Sequence, residues 1–326
     1  MSRAGAISPR MGDFFVCDFF GVAPKHDLAS MEHPIFSLST RPDRRILSYR
    51  HNDVDITVTP SVRGRATIFD ADILIFCISQ LMGALNAGKP VARQLTLTAH
   101  DLLLATGRET SGDSYRRLKD AFERLAGTRI TTNIVTGEQE VTQGFGLIEA
   151  WEIVRKTRAG RMVSVTVTLS DWLFQAVLNR SVLTLNRDYF SLRKPLERRL
   201  YELARKHCGN QRFWRVSLET LLKKSGSTSP RRVFRAMVRD IIARDGLPDY
   251  RFEEEGGDML AVTRKDVVVE PGAGVQLRPE TLEEARKLAP GADVYALEAE
   301  WWYFQSQKSL GGPDIAFLEW VAQRTG

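Results

Sequence analysis

The chain has 326 residues, of which 43% are hydrophobic and 26% charged. This excludes a disordered or fibrous protein and leaves room for about two domains, each able to bury its own core. Three cysteines without a CxxC pair exclude a disulfide scaffold and a thiolate zinc site, and the longest apolar run, Ile73 to Ile78, is too short to span a membrane. The net charge of +6 is a mild pointer to an anionic partner, so its distribution matters more than its total.

Residues 1–33 read as a flexible N-terminal arm with one aromatic patch, Phe14 to Phe20. Arg10 and Asp13 interrupt any signal-peptide core, and the expectation is a soluble protein of a reducing cytoplasm. Residues 33–40 (HPIFSLST) and 55–61 (DITVTPS) read as short strands. A helix buried on most sides is predicted from Phe69 to Gly88, with Asp70 as N-cap. A second lies within Leu95 to Gly107, with Thr98 as N-cap and Asp101 three positions on; a third runs from Ser111 to Gly127. Residues 129–137 and 140–154 then read as two strands joined by a turn at Thr136-Gly137-Glu138. Arg161 to Ser170 alternates strictly as a further strand, and Trp172 to Asn179 is a short helix. Helix, turn, helix and hairpin with a basic tip is the outline of a winged helix-turn-helix.

A second cycle begins near Asp188. KPLERRLYELARKHC is a helix with Leu196, Leu200 and Leu203 on one face, and SLETLLKKSG is the next, with Ser217 as N-cap. SPRRVFRAMVRDIIARDG is the third, with Ser229 as N-cap, Pro230 at the first helical position and Gly246 at the end. YRFEEEGGDMLAVTRK reads as a hairpin turning at Gly256-Gly257. PGAG, at residues 271–274, reads as a linker. The expected fold class is α+β: two tandem winged helix-turn-helix domains with a small helical C-terminal module. The first domain, 34–186, serves dimerisation and DNA contact; the second, 187–266, is the main DNA reader; residues 267–326 form the acidic module.

Charge is sorted along this plan. Residues 187–244 hold 16 Lys+Arg against 5 Asp+Glu, net +11, while 245–265 carry net −3 and 266–326 net −5. That density is the electrostatic footprint of a nucleic-acid surface. Arg231, Arg235 and Arg239 fall four apart on one helix face with Arg232 beside them; Val233, Phe234, Met237 and Ile241 are expected on the other. An arginine fork can bond a guanine edge or a phosphate. Ser227, Thr228 and Ser229 place hydroxyls and N–H groups at the helix start, where phosphate binds well, and Lys223 and Lys224 complete the candidate set. In the first domain Arg116, Arg117, Lys119 and Arg124 flank Tyr115, Leu118, Phe122 and Leu125, but Asp120 and Glu123 dilute the charge. DNA contact, plain solvent exposure and self-association all stand open there.

No catalytic site, cofactor or metal site is expected. GALNAGKP, at 83–90, fits GxxxxGK, yet Pro90 stands where a P-loop needs Ser or Thr, and a helix rather than a strand precedes it. His51 and His207 have no partner at ligand spacing, and Tyr189 and Tyr201 have no His cluster to make either a DNA-nicking nucleophile. Trp301 to Phe304, with Leu297, Phe317 and Trp320, read as the core of the C-terminal module or as a docking surface.

DYFSLRKPLERRLYELARKHC and LLKKSGSTSPRRVFRAMVRDII resemble the iteron-binding plasmid replication initiators, in which two winged-helix domains lie in tandem. Over roughly residues 34–326 the chain more closely resembles the replication initiator protein A group of alphaproteobacterial plasmids. APGADVYALEAEW and AFLEWV are similar to that group's C-terminal module, and R-x-L-Y-E-L (Arg198 or Arg199 through Leu203) and the SGS-to-arginine helix are the most specific parts. The resemblance implies monomers that bind tandem origin repeats on double-stranded DNA, open an adjacent AT-rich segment, and recruit the host replication initiator and the replicative helicase. It also implies dimers, formed through the first domain, that repress the initiator's own gene. The residues by themselves support a double-headed DNA binder without an ATPase motif and leave a winged-helix transcription repressor as the alternative.

Overall fold

The structure is a computed structural model. It describes residues 15–17, 22–51, 54–136, 139–155, 162–209, 211, 213–265, 277, 279–289, 294, 297–298, 301 and 313–325. The chain divides into two compact units, one comprising Met1–Ser48 and Ile56–Pro195, the other Tyr49–Asp55 and Leu196–Gly326. Both mix helix and sheet.

In chain order the first elements are β1 (Phe15–Val16), β2 (Lys25–Asp27), α1 (Leu28–Glu32), β3 (Leu47–His51) and β4 (Val54–Thr59). Two short pieces that the sequence assigns to a flexible arm are built into the first unit. β1 lies parallel to β5 (Gln94–Leu97), and β2 pairs with β10 (Val182–Thr184). His26 and Asp27 are fully buried: Asp27 Oδ2 lies 3.1 Å from His26 Nδ1, and its Oδ1 accepts the Ser30 N–H that caps α1. Two polar side chains that satisfy each other can enter a core that neither could enter alone. The strand expected at 33–40 is absent; only Ser37 bridges to Thr67, because Ile35 and Phe36 are buried in succession rather than alternately.

The helices of the first unit follow their local signals. α2 (Ala71–Asn86) is apolar all round and almost wholly buried. Asp70 occupies its N-cap, but the carboxylate receives the Thr67 N–H (2.8 Å) and the Arg124 guanidinium rather than a helix N–H. α3 (Ala99–Ala105) is capped by Thr98 Oγ1, which accepts from the Asp101 N–H at 3.0 Å, and α4 (Gly112–Gly127) by Ser111. Next come β6 (Arg129–Thr136), β7 (Gln139–Gly146), β8 (Ile148–Arg155), β9 (Met162–Leu169) and α5 (Asp171–Leu178). The run read as one strand at 140–154 breaks at Leu147. β7 pairs with β6, which pairs in turn with β4, whereas β8 pairs with β9 in another sheet. The crossing is tight: a Cβ at Gly146 would stand 3.3 Å from the Ile148 carbonyl oxygen. Gly137 and Glu138 of the predicted turn lie outside the described residues.

The second unit holds α6 (Pro195–His207), β11 (Phe213–Ser217), α7 (Leu218–Ser225), α8 (Arg231–Arg244), β12 (Tyr250–Glu255) and β13 (Met259–Arg264). β11, five residues squeezed between a helix and the Ser217 cap, is too short to announce itself by alternation. Set beside the first unit, the order repeats. Helix, strand, helix, helix, strand, strand is α2-β5-α3-α4-β8-β9 in one and α6-β11-α7-α8-β12-β13 in the other. The antiparallel strands of the two sheets also have matching orders, β5-β9-β8 and β11-β13-β12, with β1 added parallel to β5 in the first. The hairpin of the first unit that corresponds to β12–β13 is therefore β8–β9, not the 129–154 pair; β6–β7 is an insertion.

α9 (Pro279–Leu288) and α10 (Pro313–Thr325) close the chain around Leu277, Ala285, Ala289, Val294, Trp301, Phe317 and Val321. Trp301 and Phe317 meet edge to face, 5.6 Å between centroids, and Leu297 and Trp320 pack beside them. Trp301 is thus a core residue; Trp302 to Phe304 and the PGAG stretch lie outside the described residues. Among the described residues no helix is long and apolar enough to cross a membrane.

Candidate nucleic-acid interface

The interface is built outward from α6. Leu200, Tyr201, Leu203 and Ala204 are buried. Arg199 is also interior: its Nη1 lies 3.1 Å from Glu202 Oε2, and its Nε and Nη2 donate to the Lys224 carbonyl at 3.2 and 2.8 Å. A guanidinium on the last-turn carbonyl of α7 satisfies a group that the helix leaves orphaned, and fixes where α7 stops. The R-x-L-Y-E-L motif is therefore an anchor for the turn that follows.

That turn runs from Gly226 to Pro230. Gly226 takes the left-handed conformation, φ 68°, that ends α7. Ser225 Oγ accepts the Ser227 N–H at 3.2 Å, and Ser227 Oγ accepts the Ser229 N–H at 3.3 Å. Thr228 is exposed, with Ser227 and Ser229 half-buried on either side. The N-cap of α8 is Pro230 rather than Ser229, and no side chain caps its first turn. At the far end Asp245, φ 44°, takes the left-handed position expected of Gly246, a conformation that Asp tolerates better than most residues.

α8 is oriented by Phe234, Val238 and Ile241, which are buried at the i, i+4, i+7 positions of one stripe. This shifts the helix from the orientation expected from its sequence. Val233 is 47% exposed and Met237 only half-buried. The exposed residues of the helix are Arg231, Arg232, Val233, Ala236, Arg239, Asp240, Ala243 and Arg244. Arg231 and Arg235 emerge on the flank beside the β12–β13 hairpin, where both donate to Asp258 Oδ2 at 2.6 Å. Arg239 Nε donates to Glu254 at 2.8 and 3.0 Å, and that carboxylate holds its guanidinium above the ordinary arginine range. Arg215 on β11 reaches Glu255 at 3.1 Å. Arg232 has no ion-pair partner among the described residues.

Of the two lysines proposed alongside, Lys223 is exposed and pairs with Glu219 at 3.1 Å. Lys224 is 3% exposed, its Nζ 3.4 Å from His207 Nε2, and His207 stacks on Trp214. Lys224 is thus an interior residue and does not belong to the surface set.

On α4 the charges are matched within the helix. Arg116 and Arg117 both pair with Asp113, and Lys119 lies 3.7 Å from Glu123, which also receives Arg63 at 2.8 Å. Arg124 points inward, bonding Asp70 at 2.7 and 2.8 Å. The carboxylates of the β12–β13 hairpin are what sequence reading missed; the one available signal was EEEGGD at a predicted turn, directly after the most basic helix. Among the described residues no group of three or more His, Cys, Asp or Glu is placed to hold a metal ion.

The chain is similar to known proteins along most of its length. A model of the family "Replication initiator protein A" matches residues 25–252. A curated protein of Wigglesworthia glossinidia brevipalpis, described as "Putative replication protein", is 37% identical over 245 residues, which cover 74% of this chain and 89% of that one. In fold, the chain is similar to a crystal structure of SeMet derivatives of domains 2 and 3 of RctB, with a TM-score of 0.54 at 15% identity, covering 72% of this chain and 96% of that one. A second crystal structure of RctB domains 2–3 matches with a TM-score of 0.51, also at 15% identity, covering 72% and 95%. With its family model spanning both compact units and a relative matched over most of both chains, the protein belongs to the replication initiator protein A family.

Proposed function

We propose that the protein is a double-headed, sequence-specific binder of double-stranded DNA that initiates plasmid replication from repeated origin elements. The observation that carries this reading is α8. Its inner stripe is locked by Phe234, Val238 and Ile241, it follows α7 through a short anchored turn, and it presents Arg232, Val233 and Ala236 outward with Arg239 beside them. In a major groove an arginine fork reads guanine, and apolar methyl groups meet the thymine methyl. Arg231, Arg235, Lys223 and Ser227 to Ser229 are placed for the phosphate backbone, which positions the protein without reading sequence.

The repeated element order supports reading both units as winged helix-turn-helix domains, with β12–β13 and β8–β9 as the wings. On this reading the second domain is the main DNA reader. The first, whose α4 charges are neutralised on the helix itself, serves dimerisation more than base contact. Two linked heads act at high effective concentration on one long site. Opening of the adjacent duplex and recruitment of the host initiator and helicase in the cytoplasm follow binding, and no bond is made or broken by the protein.

Footprinting on the DNA flanking the gene tests this. Protection of successive major-groove faces on directly repeated elements is expected; protection of a single short palindrome without repeats would leave a transcription repressor.

A further inference from the structure

The basic face of α8 is not presented bare. Asp258 sits in the turn between β12 and β13, at φ 61° beside Gly257 at φ 73°. Two successive left-handed residues fold the strand end back toward the start of α8, so that one carboxylate oxygen receives both Arg231 and Arg235 at 2.6 Å. Near the end of β12, which leads into this turn, both oxygens of Glu254 receive Arg239. Three of the arginines that would meet DNA thus already donate to anions of the same chain, Arg231 and Arg235 through one Nη2 each and Arg239 through its Nε. A carboxylate and a phosphate compete for the same donors, and only one can hold them at a time.

The pairs add little to folding. The five side chains are between 29% and 60% exposed, where ion pairs are solvated and contribute small net energies. Their position suits a different task. When a duplex docks, the arginines must leave the carboxylates, and Asp258 and Glu254 then face the phosphate backbone as like charges. Any duplex meets that cost, but only one with acceptors in the right places offsets it through base contacts. A repulsive element of this kind raises discrimination by weakening the wrong complex more than the right one.

We infer that Asp258 and Glu254 are specificity-determining residues: they occupy Arg231, Arg235 and Arg239 in place of phosphate and so suppress binding to DNA of arbitrary sequence. This rests on the DNA-binding reading given above. It also explains how a segment of net +11 can serve a selective protein, since the acids that mask it come in the next twenty-odd residues, net −3.

The test uses the full chain and a random-sequence duplex of about 30 base pairs, with binding followed by fluorescence anisotropy across a salt titration. Asp258→Asn keeps a residue that tolerates the left-handed turn, and Glu254→Gln keeps the strand side chain. The double variant is expected to bind the random duplex about tenfold more tightly, with a log–log salt slope steeper by about two to three; Glu254→Gln alone, which frees one arginine, should steepen it by about one. Glu283→Gln with Glu284→Gln removes the same two charges from α9 and should leave affinity within about twofold.

Unchanged or weaker random-duplex binding in the D258N/E254Q protein overturns the inference; weaker binding would mean that the carboxylates orient the arginines for DNA. An equal gain in the α9 variant would overturn it too, assigning the effect to net charge. If the wild-type protein binds neither the random duplex nor its own flanking DNA, the DNA-binding reading itself fails and takes the inference with it.

Discussion

α4 and α8 stand at the same place in the two repeated orders, and both carry arginines on an amphipathic helix. On α4 the acids lie on the helix itself: Asp113 holds Arg116 and Arg117, and Glu123 holds Lys119. Arg124 is drawn inward by Asp70. On α8 the partners of Arg231, Arg235 and Arg239 lie on a separate hairpin, and Arg232 stays open to solvent. Partners on the same helix travel with it and keep neutralising it whatever docks. Partners on another element can be exchanged for a ligand. The same architecture therefore yields one helix whose charge is spent internally and one whose charge can be handed to DNA.

The largest effect that could break this comparison concerns how each helix pair is held. Arg199→Met removes the hydrogen bonds to the Lys224 carbonyl and leaves Glu202 without one buried partner, so it should cost about 3–5 kcal/mol of stability. Arg124→Met, which breaks a pair whose arginine is 20% exposed, should cost less, about 2 kcal/mol. Urea unfolding of the two variants checks the order; the reverse order would make α4, not the α6–α7 junction, the more strongly anchored helix.

A smaller effect separates the two surfaces. Arg232→Ala should weaken binding to the DNA flanking the gene by about 1–3 kcal/mol, and the loss should be confined to that sequence if the residue reads a base. Arg116→Ala and Arg117→Ala should each change it by about 0.5 kcal/mol or less, since their charges are already matched. Anisotropy titrations with flanking and random duplexes decide it; equal losses on both helices would give the first unit a DNA-reading role.

The mildest expectation concerns acid. Burial by itself would raise the Asp27 carboxyl, but the hydrogen bond and charge of His26 and the Ser30 N–H outweigh it, leaving it below its ordinary value. A carboxylate lowered on folding lends stability above its unfolded value and loses it as pH falls through the folded one. In the second unit Asp245 is also lowered, by Arg251 and Lys265 against partial burial, but it lies near the surface, where solvent weakens the effect. Thermal unfolding across the acid range should therefore show the first unit failing more steeply, and Asp27→Asn should flatten that dependence.

Much of this was legible in the chain itself. α2, α4, α6, α7 and α8 fall where apolar spacing places them, and Thr98 and Ser217 cap as their spacing requires. Two expected caps are displaced by one residue: Ser229 yields to Pro230, and Gly246 yields to Asp245. β1, β2 and β11 are too short for their alternation to be seen: β1 and β11 each pair with a longer strand, β5 and β13, while β2 pairs with the equally short β10, and all three partners lie far along the chain.

Sequence alone determined what depends on neighbours within about four residues: helix period, cap chemistry, the position of the β12–β13 turn and the sorting of charge into one basic segment. The tertiary structure decided what depends on partners far along the chain. It split residues 140–154 between two sheets, buried Lys224, rolled α8 so that Val233 turns outward, and brought Asp258 to Arg231 across 27 positions and Glu254 to Arg239 across 15. Periodicity can say that a helix has two faces. Which face is buried, and whose charges meet across the gap, follows from packing against elements that no local pattern encodes.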